Sequence, residues 1–376
     1  MPPISTTLSG ATATATATAT APPRAGSEFA PLLRAVRGAG LLERRTGWYA
    51  RCIAVNALTL AATLTGLLLV GNSWWGLLLA LPLSLVWART AFLGHDAGHA
   101  QITSGRRSGR VLGLVHANLL LGMSYGWWND KHNRHHANPN HLDKDPDVGV
   151  GAMVWTQRQA EQRVGLARWL TRNQAWLFLP MLTLEGIALK VSGLQDLKRQ
   201  APRERAAEGL LLLLHLAGYA GLLLTVFSPG RALAFALLHH ALFGLHLGLA
   251  FAPNHKGMEM PDGQDEGWGH LRRQVLTSRN VRGGLLTDWI LGGLNYQIEH
   301  HLFPNMPRPH LRRAQPLVRA HCAAVGIAYT ETSLVDSYRQ AFRHMHGVGA
   351  PLRGGPDLRG TDLRGSRPPA AGRLAA

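Results

Sequence analysis

Residues 52–71, CIAVNALTLAATLTGLLLVG, and residues 74–93, WWGLLLALPLSLVWARTAFL, are two apolar runs separated only by Asn72 and Ser73. A helix needs about 20 predominantly apolar residues to cross the hydrocarbon core of a bilayer. Each run is long enough to cross once, and the link between them carries no charge. The sequence therefore predicts two membrane-spanning helices that form a hairpin.

A second pair of apolar runs occupies residues 207–227 and 231–252, joined by the short segment 228–230. Basic residues flank the outer ends of both pairs: Arg45, Arg51, Arg89, Arg203, Arg205 and Lys256. Because Lys and Arg collect in cytoplasmic loops, we expect both hairpins to return to the cytosol, where both termini would also lie. The predicted fold is all-α: a polytopic membrane protein with four transmembrane helices in two hairpins and a cytosolic helical cap.

The chain of 376 residues has 39 Lys and Arg against 22 Asp and Glu, a formal net charge of +17. Such a charge could indicate nucleic-acid binding, but zinc-finger, RNP and basic-zipper signatures are absent from the sequence. Basic loops that face anionic lipid explain the same excess, so no nucleic-acid partner is expected. The two cysteines, Cys52 and Cys322, are too few for a disulfide framework or a four-cysteine iron–sulfur site.

The domain organisation follows from composition. Residues 1–28 are rich in Thr, Ala and Pro without the pattern of a cleavable signal, and we expect a disordered tail there. The folded domain is predicted to cover residues 29–346, and the basic, Gly- and Pro-rich segment 347–376 is expected to be a second disordered tail. Between the hairpins, residues 111–128 could form a buried or half-inserted helix, and residues 169–189 a helix on the membrane surface.

Eight of the 19 histidines fall into four short motifs at the cytosolic ends of the second and fourth apolar runs and in the loops that follow. The first motif is HDAGH at 95–99. Its two histidines share one helix face, a spacing that suits two imidazoles on one ion. In HNRHH at 132–136, the two adjacent histidines point about 100° apart on a helix, so neighbours can serve two different metal ions.

The third motif, QIEHH at 297–301, repeats this spacing with glutamine in the first place, and His255 lies where the fourth apolar run ends. Solvated loop histidines are the alternative interpretation, but they would not explain a recurring spacing at one membrane face. Imidazole ligands suit Fe, Zn, Cu or Ni. The motifs therefore predict a transition-metal site at the cytosolic face, with no catalytic residue beyond the metal centre.

Acidic residues near these motifs could hold the second nitrogen of each ligating imidazole, although loop turns and helix caps would use the same residues. These candidates are Asp96, Asp143, Asp145 and Asp147. Glu299 lies between two ligands of the third motif but points elsewhere on a helix, so at most it supports the ligands from behind. Four further histidines lie inside the apolar runs, where hydrogen bonding between helices is the expected role. They are His215, His239, His240 and His246.

As a set, HDAGH, HNRHH and QIEHH resemble the three histidine boxes of the integral-membrane fatty acid desaturase family. The resemblance covers about residues 50–340 and includes Asp145-Pro146-Asp147 after the second box and Phe303-Pro304 after the third. Glutamine at the start of the third box is similar to the front-end, linoleoyl-type or delta-6-like branch. Many members of that branch carry a fused cytochrome b5 domain, and we expect none in this chain.

The resemblance implies an O2-dependent enzyme with two iron ions, which introduces a cis double bond into a long-chain acyl substrate. The implied metal ligands are His95, His99, His132, His135, His136, His255, His300 and His301. Gln297 stands where other branches have histidine, and its amide could bind metal or orient a water. Removing hydrogen from an unactivated methylene is beyond acid–base side chains, which agrees with a metal cofactor.

The implied partners are membrane lipid, an acyl-CoA, acyl-carrier protein or phospholipid substrate, and a ferredoxin or similar electron donor. The excess of Arg over Lys favours a bacterial plasma membrane as the location. A hydroxylase, ketolase or conjugase could use the same centre. A metal transporter is the alternative of another class, but its ligands would follow a path across the membrane, whereas these cluster at one face.

Overall fold

The computed structural model describes residues 27–262 and 267–354, and most of them are helical. The first helices are α1 (Phe29–Gly38), α2 (Thr46–Val70), α3 (Ala80–Gly98), α4 (Arg106–Gly113) and α5 (Tyr125–Ala137). They are followed by α6 (Gln157–Glu161), α7 (Gly165–Arg172), α8 (Gln174–Leu182), α9 (Glu185–Asp196), α10 (Pro202–Val226) and α11 (Pro229–His255). The last are α12 (His270–Leu276), α13 (Leu285–Ile290), α14 (Gln297–Leu302), α15 (Arg308–Ala324) and α16 (Leu334–Val348).

Two short strands depart from the all-α prediction. β1 (Asn280–Arg282) pairs in parallel with β2 (Glu331–Ser333). Strands of three residues are too short to show the alternating pattern by which a sequence reveals a strand. Their pairing is decided by long-range contact, and it joins the segment before the third histidine motif to the segment before α16.

Within the described residues, four helical segments are long and apolar enough to cross a membrane. They are Thr46–Val70, Trp74–Gly98, Pro202–Val226 and Pro229–His255, and the second begins with a turn of 3-10 helix at Trp74–Leu79. Their number and positions agree with the four predicted apolar runs. The second and fourth continue beyond the predicted ends at 93 and 252, and these extra turns carry His95 and His255.

The membrane-level core forms where α3, α10 and α11 pack around Trp87. The Tyr219 hydroxyl of α10 hydrogen-bonds His239 Nδ1 of α11 at 2.8 Å, and His215 Nδ1 donates to the backbone carbonyl of Leu119 at 3.0 Å. These contacts agree with the expected role in bonding between helices. His246 also bonds another element, whereas His240 bonds the backbone of its own helix.

The two segments between the predicted hairpins differ from their expected forms. Residues 111–128 are divided among the end of α4, a π-helix at Leu114–Leu121 and the start of α5, because Gly122 adopts a left-handed φ of 69°. Residues 169–189 form no single surface helix. They are divided among the end of α7, α8 and the start of α9, and α8 meets the longer helical segment Glu185–Arg199 at a bend of 74°.

The predicted tails lie almost wholly outside the described residues. Of the segment 347–376, residues 347–354 belong to the packed structure, because α16 continues to Val348 and a 3-10 turn follows at Ala350–Arg353. Leu352 is buried there, and the Arg353 guanidinium donates to the backbone carbonyl of Arg172. The packed domain therefore extends beyond the predicted end at 346.

Close contact between α9 and α11 depends on glycine. A Cβ atom on Gly244 would lie 2.6 Å from the backbone oxygen of Leu182 and 2.8 Å from the backbone nitrogen of Gly186. Backbone atoms cannot move aside as a flexible side chain can. A larger residue at Gly244 must therefore separate the two helices.

We predict that Gly244→Leu destabilises the protein by about 1–3 kcal/mol, the usual cost of overpacking. Thermal unfolding of the detergent-solubilised protein measures this as a lower midpoint. Gly218→Leu on α10 is the matched control, because a Cβ there meets no atom within 4 Å. Equal midpoints for the two variants would contradict the proposed close contact.

Candidate metal centre

Four helical elements bring the eight candidate ligands together. The end of α3 supplies His95 and His99, and the end of α11 supplies His255. The remaining five come from α5 and α14: His132, His135, His136, His300 and His301. All eight side chains are buried except that of His132, which is half-buried. Because α3 and α11 continue past their apolar runs, their last turns lie beside α5 and α14.

The imidazoles form two adjacent groups. In each group, one nitrogen per histidine lies within 4.8 Å of the corresponding atoms of the others. The larger group contains His95, His99, His132, His136 and His300, and the smaller contains His135, His255 and His301. Adjacent histidines of both the second and third motifs are divided between the groups. Successive residues of a helix point about 100° apart, which makes this division possible.

Several ring nitrogens in these groups are buried without a hydrogen-bond partner in the described residues. They are Nε2 of His95, His99, His300 and His301, and Nδ1 of His136. A buried polar atom without a partner is unfavourable by about 1–3 kcal/mol. Several such atoms that converge are explained by metal ions, so these residues fit a pair of bound metals.

The second ring nitrogen of several histidines is held by a neighbouring group. His135 Nδ1 bonds Asp145 Oδ2 at 2.9 Å, and His95 Nδ1 bonds Asp96 Oδ1 at 3.0 Å. His301 Nδ1 bonds the Gln274 side-chain oxygen at 3.0 Å. Such contacts fix the ring orientation and direct the other nitrogen toward the metal position.

Electrostatics favours the neutral imidazole that a metal requires. Burial, together with the neighbouring imidazoles, lowers the pKa of His132, His136 and His300 well below its usual value. The pKa values of His99 and His301 are lowered for the same reasons. These side chains are therefore ready to bind a metal cation without first losing a proton.

The predicted acidic residues divide into two sets. Asp96 and Asp145 contact candidate ligands directly, and Asp147 lies 3.5 Å from His135 Nδ1 while it pairs with Lys131. Asp145 is also fixed by the backbone N–H groups of Asn140 and Asp147. Asp96 pairs with the buried Arg308 guanidinium, which anchors α3 to α15.

The second set is Asp143 and Glu299, which hold no candidate ligand through a hydrogen bond within the described residues. Among the described residues, the Asp143 side chain bonds none of the candidate ligands. Glu299 bonds Asn280 at 2.6 Å and Tyr329 at 2.7 Å, on the opposite side of α14 from the metal groups. Burial raises the pKa of Glu299 to about 7, although both hydrogen bonds act to lower it. The direction of the Glu299 side chain follows from its position on α14, one residue before His300.

Gln297 contacts the smaller histidine group through its amide nitrogen. Its Nε2 atom donates to His255 Nε2 at 2.9 Å, and its Oε1 atom accepts from Asn254 at 3.2 Å. Asn254 also donates to the backbone of its own helix, which sets its amide orientation. In this arrangement the nitrogen of Gln297, and not its oxygen, faces the histidine group.

Glu208 is a positioning residue that the sequence reasoning missed. Its buried carboxylate accepts hydrogen bonds from Asn118 Nδ2 at 3.0 Å, Ser124 Oγ at 2.7 Å and the backbone N–H of Gly126 at 3.0 Å. Ser124 caps the N-terminus of α5. The sequence did contain a signal for this role, because Glu208 is an acidic residue near the start of the apolar run 207–227. Gln274 and Arg308 were also missed, as was Thr277, whose backbone carbonyl accepts from His255 Nδ1 at 3.0 Å. The partners of all three are distant in sequence.

The fold and the site define a helical membrane protein with a buried cluster of histidines that could hold metal. Residues 72–333 match the fatty acid desaturase family. Delta(8)-fatty-acid desaturase 2 of Arabidopsis thaliana is 31% identical over 313 residues, 78% of this chain and 68% of that protein. Delta(5) fatty acid desaturase fat-4 of Caenorhabditis elegans is 30% identical over 327 residues, 84% and 71% of the two chains. This chain belongs to the fatty acid desaturase family.

We predict that His300→Ala and His301→Ala each remove one metal ion, because these neighbours belong to different groups. Bound iron, measured by elemental mass spectrometry, should fall from about two ions per chain to about one in either variant and to near zero in the double variant. His321→Ala, at a histidine outside both groups, should bind iron like the wild type. Full iron content in the double variant would rule out these ligands.

We predict that Asp145→Asn lowers metal affinity by about 10–100-fold, because His135 loses the carboxylate that orients it. Titration of the iron-loaded protein with a chelator measures this change. Asp143→Asn is the matched control, two residues away and without contact to a candidate ligand. Equal affinities for the two variants would count against the orienting role of Asp145.

Proposed function

We propose that this protein is an O2-dependent desaturase that introduces a cis double bond into a long-chain fatty acyl substrate. The observation that carries this proposal is the pair of adjacent histidine groups with unpartnered, buried nitrogens in a chain of the desaturase family. Two iron ions held by these histidines would supply the oxidising power to remove hydrogen from two neighbouring methylenes. The residues of the protein would hold, orient and shield the two iron ions.

The candidate ligands are oriented by groups that bond the second nitrogen of their imidazole rings. Asp96, Asp145 and Gln274 each hold the second nitrogen of one candidate ligand. The Trp128 ring stacks on His132 with centroids 4.6 Å apart and meets His95 edge-on at 5.7 Å. This tryptophan covers one side of the larger group, so it restricts both ring movement and access of water.

We propose that Gln297 lies beside the smaller group as a hydrogen-bond donor and does not bind metal through its oxygen, and that its bond to His255 Nε2 gives way when that nitrogen binds the metal. The support is the direction of its amide, which Asn254 sets. A glutamine at the start of the third histidine motif also supports placing this chain in the front-end branch. The names of two relatives, a Delta(8) and a Delta(5) desaturase, describe double bonds near the carboxyl end in those proteins and support the same placement.

For the membrane arrangement, we propose two hairpins with the metal centre and both termini in the cytosol. The charged ends of the spans support this orientation. The formal net charge of +17 supports attraction of an acidic electron donor such as a ferredoxin, and of anionic lipid in a bacterial plasma membrane. Each double bond formed with O2 would consume two electrons and two protons and yield two waters.

The function is tested by the fatty-acid profile of cells that express the protein, with derivatised double bonds located by mass spectrometry. We expect a new unsaturated acid with the wild type and none with the double variant His300→Ala, His301→Ala. Expression of both proteins is compared by immunoblot. Hydroxylated products in place of unsaturated ones would replace desaturation with oxygen insertion at the same centre. No new product from iron-loaded protein with an electron donor would refute the proposal.

A further inference from the structure

A groove of about 240 Å³ opens on the outer surface of the helices, between α2 and the π-helix Leu114–Leu121. The α2 wall is formed by residues on one face of that helix, spaced three or four apart. They are Ile53, Ala57, Leu60 and Leu64. His116 and Leu120 form much of the facing wall. The groove therefore runs lengthwise along a membrane-spanning helix.

The walls offer a ligand almost no hydrogen bonding. The two polar side chains of the lining use their donors elsewhere: Asn56 Nδ2 donates to Thr90 Oγ1 at 2.8 Å, and His116 Nδ1 donates to the Leu112 carbonyl at 2.8 Å. A water molecule needs two to four polar partners, so ordered water is disfavoured here. Because α2 is long and apolar enough to cross a membrane, the groove would open to lipid hydrocarbon when α2 spans the bilayer. An acyl chain suits a groove that offers almost no hydrogen bonds and that opens to lipid.

Two lining residues of the groove contact α3 close to the metal centre. Asn56 bonds Thr90, which precedes the candidate ligand His95 by five residues, or about 7.5 Å along the helix axis. His116 lies directly against Gly94, because a Cβ on Gly94 would be 3.5 Å from that of His116. The facing wall is a π-helix, a geometry that occurs often at functional sites. A chain in the groove would therefore contact Asn56 and His116, which in turn contact the turn of α3 that leads to His95.

We propose that this groove binds the acyl chain of an intact membrane lipid, and that the substrate reaches the metal centre sideways from the bilayer. This inference rests on the proposed function and specifies its substrate as a lipid-linked acyl chain. A soluble acyl-CoA or acyl-carrier protein would approach the centre from the cytosol and would not need a groove that opens to lipid.

The test compares two tryptophan substitutions on neighbouring residues of α2. Ala57→Trp fills the groove, whereas Leu58→Trp places the same side chain at a position that is 70% exposed and outside the lining. The proteins are placed in nanodiscs with a phosphatidylcholine whose acyl chain carries a diazirine, and labelled peptides are mapped after irradiation. Ala61→Phe, at another lining residue, replaces Ala57→Trp if that variant does not accumulate.

We expect labelling of peptides from residues 53–64 and 114–121 in the wild type and in Leu58→Trp. In Ala57→Trp, labelling of the lining residues, located within each peptide by fragmentation, and the yield of unsaturated product should both fall by about tenfold or more, as when a binding pocket is blocked. Labelling of Val55, which is exposed outside the groove, should persist in every variant. Iron content should stay at the wild-type level in every variant, which shows that the metal centre is intact. Labelling needs no turnover, so it reports binding independently of the reaction.

Wild-type turnover in Ala57→Trp would overturn the inference, because the substrate would then use another route. Turnover that falls while groove labelling persists would overturn it as well. If the wild type is labelled in the groove but forms no unsaturated product when loaded with iron and supplied with electrons, the lipid site stands and the proposed function fails. The two failures are therefore distinguishable.

Discussion

Convergence of buried imidazoles is the constraint on which the rest of the structure depends. Ring nitrogens that lack hydrogen-bond partners destabilise a folded protein unless a cation fills the space between them. To bring them together, two helices must continue beyond the membrane-level core, and two others must lie against their ends. The long α3 and α11, the short α14 and the position of α5 all serve this requirement.

Secondary contacts hold each part of the centre in place, and many of them join distant segments. Asp96 links the ligand His95 to Arg308 of α15. Asp145 fixes the loop after α5, and Glu208 of α10 fixes the chain before it, so both ends of that helix are anchored. Because α5 carries candidate ligands of both groups, its placement sets their separation.

The membrane region contributes more than a hydrophobic anchor. Its core contains hydrogen-bonded polar pairs such as Tyr219 with His239, which connect α10 to α11 where lipid offers no hydrogen bonds. Glycine permits α9 to approach α11 at the level of Gly244. His116, which lines the apolar groove beside α2, lies against Gly94, one residue from a candidate ligand. The proposed lipid site is therefore separated from the α3 end of the metal centre by few side chains.

Apolar run length and histidine spacing were enough to predict the four spans, the metal-binding motifs and the family, because these signals are local. Local periodicity also explains why neighbours such as His300 and His301 could be assigned to different ions. The roles of Glu208, Gln274 and Arg308 and the small parallel sheet were not predictable in this way. Each depends on a partner tens to hundreds of residues away. Long-range packing selects such partners, and no spacing in the linear chain encodes it.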